Sequence, residues 1–362
     1  MIQNQEIFSD PFTEYGGILP KEQYTAELEF WLENFNYSFS DFFLNKNQPK
    51  IIIEFINNSE VNACVSKVQE SYVIGIYLGF IYVVNDLFFR MLSSPNVLVK
   101  YGNSSMEQVR KIYNAQITDS GILYLAKHND KRNNPLDDVR HRIAIVLSIF
   151  CFNHLVLHEY AHIALGHVDY EKINDQNIHF ENQVQNQNSE LDYLFRHNCE
   201  LDADAYATNL LLHALFSEDY TGSGVNEIIK PYLRNVADRI FLWNFAIYSQ
   251  KRLFGYRKYQ LRELKNLSHP PPSLRQHVTI GVLRSIVKVN SQDEKLKANI
   301  EDIIRESLLE VEKAFAEISE QPFDMDAYSF VFQEEIKNYH DDLKNANSDV
   351  KLKLEPFAFF KY

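Results

Sequence analysis

Residues 143–166 read IAIVLSIFCFNHLVLHEYAHIALG, an apolar run that contains no proline and reaches its first glycine at Gly166. Proline and aspartate suit the first turn of a helix, so the segment from Pro135 to Asp138 can begin one. Glycine favours the left-handed residue that ends a helix. The run therefore predicts one long, buried helix of roughly 25–30 residues that stops at Gly166.

His158, Glu159 and His162 form a His-Glu-x-x-His pattern near the end of this predicted helix. Residues four apart share one helix face, so both imidazoles can bind a single metal ion, with Glu159 beside it as a general base. The alternative is a helix with two buried, hydrogen-bonded histidines and no metal. With 12 His in 362 residues, a chance match of the pattern has a probability of roughly a few per cent. The pattern favours a zinc hydrolase.

Glu200 and Asp204 supply a second pair of side chains four residues apart, in an alanine-rich stretch that predicts a closely packed helix. Glu200 completes a set of two histidines and one glutamate, which leaves the fourth position of zinc open for reaction. Asp204 is the candidate to hold the second ring nitrogen of a ligand histidine. Its alternative is an ordinary surface carboxylate.

Four neighbouring residues offer other interpretations. Asp202 should face away from Glu200, as a solvent or capping charge. Cys199 could bind zinc, but Glu200 would then have no role. His197 is expected at the surface, with a contact to the substrate as the alternative. His167 is out of register with the metzincin pattern and is expected at the helix C-terminus, where the helix dipole favours it, with a place in the cleft as the alternative.

With these residues in place, the chain resembles the gluzincin clan, the thermolysin-like zinc peptidases whose third ligand is a glutamate on a following helix. The stretches 62–64 (Asn-Ala-Cys) and 269–275 (His-Pro-Pro-Pro-Ser-Leu-Arg) resemble segments of compact gluzincins. Chain length and motif placement are similar to the Lit-type phage-exclusion peptidases. The resemblance covers roughly residues 48 to 285. It implies a zinc-dependent endopeptidase that acts on a cytoplasmic protein, with phage defence as its setting.

Several roles follow from this resemblance and from the residue types. Glu159 would accept the proton of the attacking water and deliver it to the leaving amine. His269 is the candidate to stabilise the oxyanion, and Arg275 would either support the ligands or clamp the substrate. Tyr256 and Tyr259 are weaker alternatives for the oxyanion. A rigid proline connector with a surface arginine is the alternative for the whole 269–275 segment.

Short apolar runs separated by turn residues predict a small antiparallel or mixed sheet from residues 51–55, 61–65 and 72–77. One edge of such a sheet could bind an extended peptide by strand addition. Asn62 and Ala63 are the substrate-binding candidates on that edge. Ordinary sheet residues remain the alternative.

The fold class predicted is α+β: predominantly helical, with a small N-terminal antiparallel or mixed sheet packed on the helix that carries the zinc motif. Three parts are expected: an N-terminal helical segment (1–47), a gluzincin-like metallopeptidase core (48–285) and a C-terminal helical extension (286–362). Residues 350–354 alternate like a short strand. The polar segment 174–189 is expected to be a loop, either a lid over the zinc or a plain surface loop.

Composition limits the partners. The net charge is −13 and Lys and Arg form no basic run, which argues against a nucleic-acid partner. Charge-free stretches are shorter than the roughly 20 apolar residues of a membrane span, and the first residues lack a signal sequence. Three cysteines form no disulfide framework, which favours a reducing, cytoplasmic location.

The sequence is compatible with three functions that belong to different classes. The first is the zinc endopeptidase, whose partner is a protein or peptide substrate. The second is a zinc-containing regulatory or binding protein without turnover, against which Glu159 argues because a structural zinc site needs no base. The third is a helical interaction protein without metal. The oligomeric state is open.

Overall fold

A computed structural model describes residues 10–43, 49–109, 115–117, 123–125, 134–173, 179–180, 190–216, 230–254, 261–264, 266–267, 269–319, 323 and 325–359. Within them the chain is predominantly helical and carries a small mixed sheet, which confirms the predicted α+β class.

Short strands from the first half of the chain form the sheet. The described strands are β1 (Lys50–Ile56), β2 (Ala63–Val68), β3 (Ser71–Tyr77), β4 (Ala115–Ile117), β5 (Leu123–Leu125) and β6 (His179–Phe180). The main sheet has the order β1-β3-β2-β6, with β1 parallel to β3 and the other pairs antiparallel, while β4 and β5 pair separately. Strand β3 is buried along its whole length, between β1 and β2, which suits its nearly continuous apolar sequence.

Helices make up most of the remaining described chain. They are α1 (Ala26–Phe43), α2 (Leu78–Leu92), α3 (Asp138–Ala164), α4 (His167–Ile173), α5 (Glu190–Phe216), α6 (Val236–Leu253), α7 (Leu261–Leu264), α8 (Pro272–Asn290), α9 (Glu294–Ser319), α10 (Asp326–Ser329) and α11 (Glu334–Leu354). Short 3-10 turns join several of them.

Helix α3 begins and ends where the sequence predicts. The Asp137 side chain accepts a hydrogen bond from the backbone N–H of Arg140 at 3.0 Å, and so caps the helix N-terminus. Glu107 accepts the backbone N–H of Leu136 at 2.9 Å and that of Asp137 at 3.0 Å. At the other end Gly166 adopts φ +81°, the left-handed conformation that stops a helix.

Arg140 fastens the start of α3 to the loop that follows α2. Its guanidinium is fully buried and donates to five backbone carbonyl oxygens, those of Leu92, Ser94, Val97, Leu98 and Tyr101. A buried cation needs this degree of hydrogen bonding to offset its lost hydration. The contacts fix the N-terminal half of the helix that carries the zinc motif.

Helix α3 is the centre of the molecule and contacts α1, α2, α5, α6 and the strands β2 and β3. The sheet thus packs on the zinc-motif helix, as predicted. Of the helices described, α3 alone is long and apolar enough to cross a membrane, yet 94% of that apolar window is buried within the protein. Core helices of soluble proteins pass the same test of length and composition.

The C-terminal residues fold back onto the end of α3. The backbone N–H of Phe359 donates to the carbonyl oxygen of Ala164 at 2.9 Å, and the Phe359 ring packs on Tyr72 of β3. Gly166 lies so close to Phe357 that an added Cβ would stand 2.6 Å from its carbonyl carbon. The turn after α3 is therefore closed by a segment from the far end of the sequence.

One local prediction is wrong. Residues 350–354, expected as a strand, form the last turn of α11. Val350 and Leu354 are buried four residues apart while Leu352 is 66% exposed, so the apolar alternation reflects one helix face and an exposed leucine. The three-part division stays a prediction; its boundary at 285/286 falls inside α8, and that at 47/48 lies outside the described residues.

Candidate metal site

Helix α3 brings His158 and His162 together on its buried face. Their Nε2 atoms lie 3.2 Å apart, and their rings meet edge to face with centroids 4.8 Å apart. Both histidines and Glu159 between them are at most 3% exposed. A face shared by residues four apart is what the sequence pattern predicts.

Helix α5 adds Glu200 to this pair. Its Oε2 lies 3.3 Å from Nε2 of His158, and its Oε1 lies 3.4 Å from Nε2 of His162. Ligand atoms 2.0–2.1 Å from a tetrahedral zinc ion stand about 3.3–3.4 Å from one another. The spacing of the three side chains therefore fits a zinc ion, and their ligand atoms all lie within 4.8 Å of one another.

The electrostatics of this cluster favour a positive charge. Burial lowers the pKa of His158, but its contacts with Asp204 and Glu200 outweigh burial and raise the pKa to about 10. Burial raises the pKa of Glu200, yet the nearby histidines His269, His162 and His158 hold it well below its ordinary range. The carboxylates of Glu200 and Asp204 therefore favour a positive charge at this cluster, either a proton or a metal cation.

Asp204 stands behind His158, one helical turn after Glu200. Its Oδ1 lies 3.2 Å from Nδ1 of His158, which leaves Nε2 of that ring directed at the cluster. Two buried cations hold the carboxylate: Arg275 donates from Nε at 2.7 Å and from Nη2 at 3.0 Å, and Lys251 donates at 2.8 Å. Burial would raise the pKa of Asp204, but Arg275 and Lys251 keep it well below its ordinary value.

Lys251 is absent from the sequence predictions. It lies on α6 and is 5% exposed. The sequence around it, Gln250-Lys251-Arg252, reads as an ordinary polar helix end. The available signal is indirect: a buried Asp204 requires a cation, and one arginine satisfies only part of its hydrogen-bonding capacity.

His269 approaches the cluster from the segment before α8. Its Nε2 lies 3.4 Å from Oε1 of Glu200, and burial lowers its pKa to about 3. It is not among the residues whose ligand atoms all lie within 4.8 Å of one another. His269 thus lies beside the three-residue cluster, and Arg275 of the same segment reaches both Asp204 and, at 3.8 Å, Glu200. Tyr256 and Tyr259 lie outside the described residues.

The structure revises two of the histidine expectations. His167 begins α4 and is fully buried, with its Nδ1 2.9 Å from Nδ1 of His162. Gly166 stops α3 before this residue, so it is not a helix C-terminal side chain. His197 is also buried, and its Nε2 donates to the carbonyl oxygen of Leu267 at 2.9 Å while Nδ1 contacts the Tyr339 hydroxyl. The surface prediction for His197 is wrong because α11 covers that face of α5.

Asp202 and Cys199 both face α11. Asp202 points away from the cluster as predicted, but it is not a solvent charge: Asn347 donates to it at 3.5 Å, and burial raises its pKa. Cys199 packs with Phe195, Val350 and Leu354.

Asn62 and Ala63 lie at the start of β2 and are buried. The side-chain oxygen of Asn62 accepts a hydrogen bond from the backbone N–H of Ala63 at 3.0 Å. The backbone carbonyl oxygen of Asn62 accepts one from the backbone N–H of Tyr77 at 3.1 Å. The next two residues of β2 pair with β6, so the chain's own strand runs along that part of the edge. Their role in binding substrate stays a prediction. Residues 179–180 of the segment 174–189, for which the sequence predicts a loop, form β6, and the rest of that segment lies outside the described residues.

A cavity of about 10 Å³, close to the size of one water, lies behind His158. His154, Gln250 and Lys251 are among the residues that line it. Among the described residues, Nε2 of His154 and Oε1 of Gln250 have no hydrogen-bond partner.

Comparison of the chain with protein-family models, curated proteins and solved structures finds no significant match to any of them. The interpretation of the site therefore rests on its own geometry.

Proposed function

We propose that this protein is a zinc-dependent endopeptidase of the gluzincin type that hydrolyses peptide bonds of a protein substrate. The observation that carries the proposal is the arrangement of His158, His162 and Glu200 with tetrahedral spacing, next to the buried carboxylate of Glu159. Two histidines and one glutamate leave a zinc ion one position for reaction. Zinc held there would polarise the scissile carbonyl and make water more acidic.

Glu159 is the general base of the proposed reaction. Its negative charge contributes to the raised pKa values of Cys64 on β2 and Tyr77 on β3, in both of which burial is the largest cause. Glu159 is thus close enough to β2 and β3 to act on their side chains, and it is next to His158 in the sequence. There it would accept a proton from the attacking water and return it to the leaving amine.

The other polar residues hold or complete the site. Asp204 orients His158, and Arg275 and Lys251 keep Asp204 ionised. His269 is beside Glu200 and is our candidate to donate a hydrogen bond to the oxyanion of the tetrahedral intermediate. Burial keeps its imidazole neutral at pH 7, so one ring nitrogen carries the N–H that this role requires.

The substrate and setting we propose follow from the sheet and from the resemblance to the Lit-type peptidases. The substrate would be an extended peptide that lies near Asn62 and Ala63, next to the part of β2 that β6 covers. We place the reaction in the cytoplasm, as part of phage exclusion. Three buried cysteines without a disulfide are consistent with a reducing compartment.

A paired test separates chemistry from metal binding. Wild type, Glu159→Gln and a control, Glu306→Gln at an exposed position of α9, are incubated with a whole-cell protein extract, and new peptide N-termini are identified by mass spectrometry. Zinc per chain is measured for each, together with His162→Ala. We expect zinc in the three proteins that keep His162, and new N-termini only with wild type and Glu306→Gln.

Other outcomes decide between functions. Zinc in the wild type and no new N-termini from it would overturn the peptidase in favour of a regulatory or binding protein. If the wild type contains no zinc and His162→Ala does not change the zinc content, the proposed metal site is refuted.

A further inference from the structure

His167 contacts the ring nitrogen of His162 that faces away from the proposed metal position. The two Nδ1 atoms are 2.9 Å apart, both residues are at most 2% exposed, and the rings meet edge to face with centroids 5.0 Å apart. A nitrogen-to-nitrogen distance of this length is a hydrogen bond, in which one ring donates and the other accepts.

The direction of this hydrogen bond follows from the metal site, so the inference rests on the proposed function. Nε2 of His162 is the atom that faces Nε2 of His158 and Oε1 of Glu200. When Nε2 binds a metal, the proton of the neutral ring is on Nδ1, which must donate. His167 then accepts at Nδ1 and carries its own proton on Nε2. We propose that His167 is the positioning residue that fixes the tautomer and orientation of His162.

The backbone around His167 holds the ring in place. The residue follows the left-handed Gly166, whose carbonyl oxygen accepts the N–H of Tyr170 at 3.0 Å, and Phe357 packs directly on Gly166. The Nδ1 acceptor of His167 therefore belongs to a turn that is held by the hydrogen bond from Tyr170 and by the packing of Phe357 on Gly166.

Helix α4 is also anchored to the sheet. Two residues after His167, the Asp169 carboxylate accepts from Lys67 of β2 at 2.8 Å and from the Tyr72 hydroxyl of β3 at 2.6 Å. His162 is thereby connected through α4 to the sheet, whereas His158 is connected through Asp204 to α6 and α8. The two ligand histidines receive different partners, an anionic carboxylate for His158 and a neutral imidazole for His162.

Two substitutions test the role of the acceptor nitrogen. His167→Phe keeps a ring of similar size but removes the acceptor, and His167→Asn places its Oδ1 where Nδ1 was and keeps it. Zinc affinity is measured by competition with a chelator in the full-length proteins. We expect His167→Phe to weaken zinc binding about 10- to 100-fold and His167→Asn to remain close to wild type. The Co(II)-substituted proteins provide a spectroscopic signature, altered in the Phe variant and preserved in the Asn variant.

A measurement on the wild type avoids dependence on variant folding. Nitrogen-15 NMR of the zinc-loaded protein should find the proton of His162 on Nδ1 and that of His167 on Nε2. The opposite tautomers, or a folded His167→Phe protein with wild-type zinc affinity, would overturn the role of His167. If His167→Phe loses zinc binding while His167→Asn keeps it, and the wild type cleaves nothing, the positioning role of His167 is supported and the peptidase function is overturned. A wild type without zinc would overturn both.

Discussion

Oδ1 of Asp204 lies 3.2 Å from Nδ1 of His158, while both of its oxygens also receive hydrogen bonds from buried cations. One carboxylate on α5 therefore joins His158 of α3, a proposed metal ligand, to Lys251 of α6 and Arg275 of α8. Four helices meet at this single side chain.

Replacing Asp204 should affect both stability and metal binding. In Asp204→Asn, Lys251 and Arg275 remain buried without the carboxylate that both contact, so we expect a loss of roughly 3–5 kcal/mol in the free energy of unfolding. Zinc affinity should fall about 10- to 100-fold. Urea unfolding of the protein freed of zinc measures the change in stability. Competition with a chelator measures the change in zinc affinity. The double variant Asp204→Asn, Lys251→Met should recover part of the stability; no recovery would contradict the charge argument.

His269 should influence the rate of cleavage and leave metal content unchanged. His269→Ala removes the proposed oxyanion donor, so the rate of fragment formation should fall about 10²- to 10³-fold. Zinc per chain should stay at the wild-type level because His269 is outside the three-ligand cluster. His213→Ala, at an exposed position of α5, is the control. Zinc loss as severe as in His162→Ala would make His269 a ligand instead.

Acid should destabilise the protein through His197. Burial lowers the pKa of this histidine from 6.5 to about 4. Above pH 6.5 both the folded and unfolded states carry it neutral; as pH falls from 6.5 towards 4, only the unfolded state binds the proton readily. The free energy of unfolding should therefore drop over that interval, by up to roughly 3 kcal/mol from this group. Urea unfolding at several pH values should give a shallower decline for His197→Gln, and an unchanged slope would refute this assignment.

Two glycines provide a matched test of the fold. An added Cβ at Gly281, within α8, meets nothing within 4 Å, so Gly281→Ala should stabilise the helix by about 0.5–1 kcal/mol. At Gly79, in the first turn of α2, a Cβ would stand 2.1 Å from the carbonyl oxygen of Ser59. Gly79→Ala should lower the free energy of unfolding by about 1–3 kcal/mol because the backbone at Ser59 must move to make room for the new Cβ. Urea unfolding measures the stability of both variants. If Gly281→Ala and Gly79→Ala changed the free energy of unfolding in the same direction, the packing described would be contradicted.

The two long helices of the site could be predicted because their signals are local. Gly166 stops α3, and pairs of polar residues four apart within apolar sequence define the inward faces of α3 and α5. The contacts between Asp204 and His158 also follow this pattern, since Asp204 stands one turn beyond Glu200.

Residues supplied by other elements could not be predicted in the same way. Lys251 reaches the site because α6 packs beside α5, and His167 reaches it because the left-handed Gly166 ends α3 and starts a turn. Neither event leaves a spacing pattern in the sequence. The burial of His197 depends likewise on α11, which follows much later in the chain. Tertiary packing, and not local propensity, decides these positions.

The hydrogen bond from Phe359 to Ala164 also has a consequence for biosynthesis. The helix with the His-Glu-x-x-His motif is made long before Phe359, and at roughly 5–20 residues per second the interval is about ten seconds or more. Throughout that interval a nascent chain contains both proposed ligand histidines, but the turn that carries His167 lacks its contact with Phe357 and Phe359. The site that we propose would therefore be complete only after residue 359 has been made, which would delay any cleavage of the newly made chain and its neighbours.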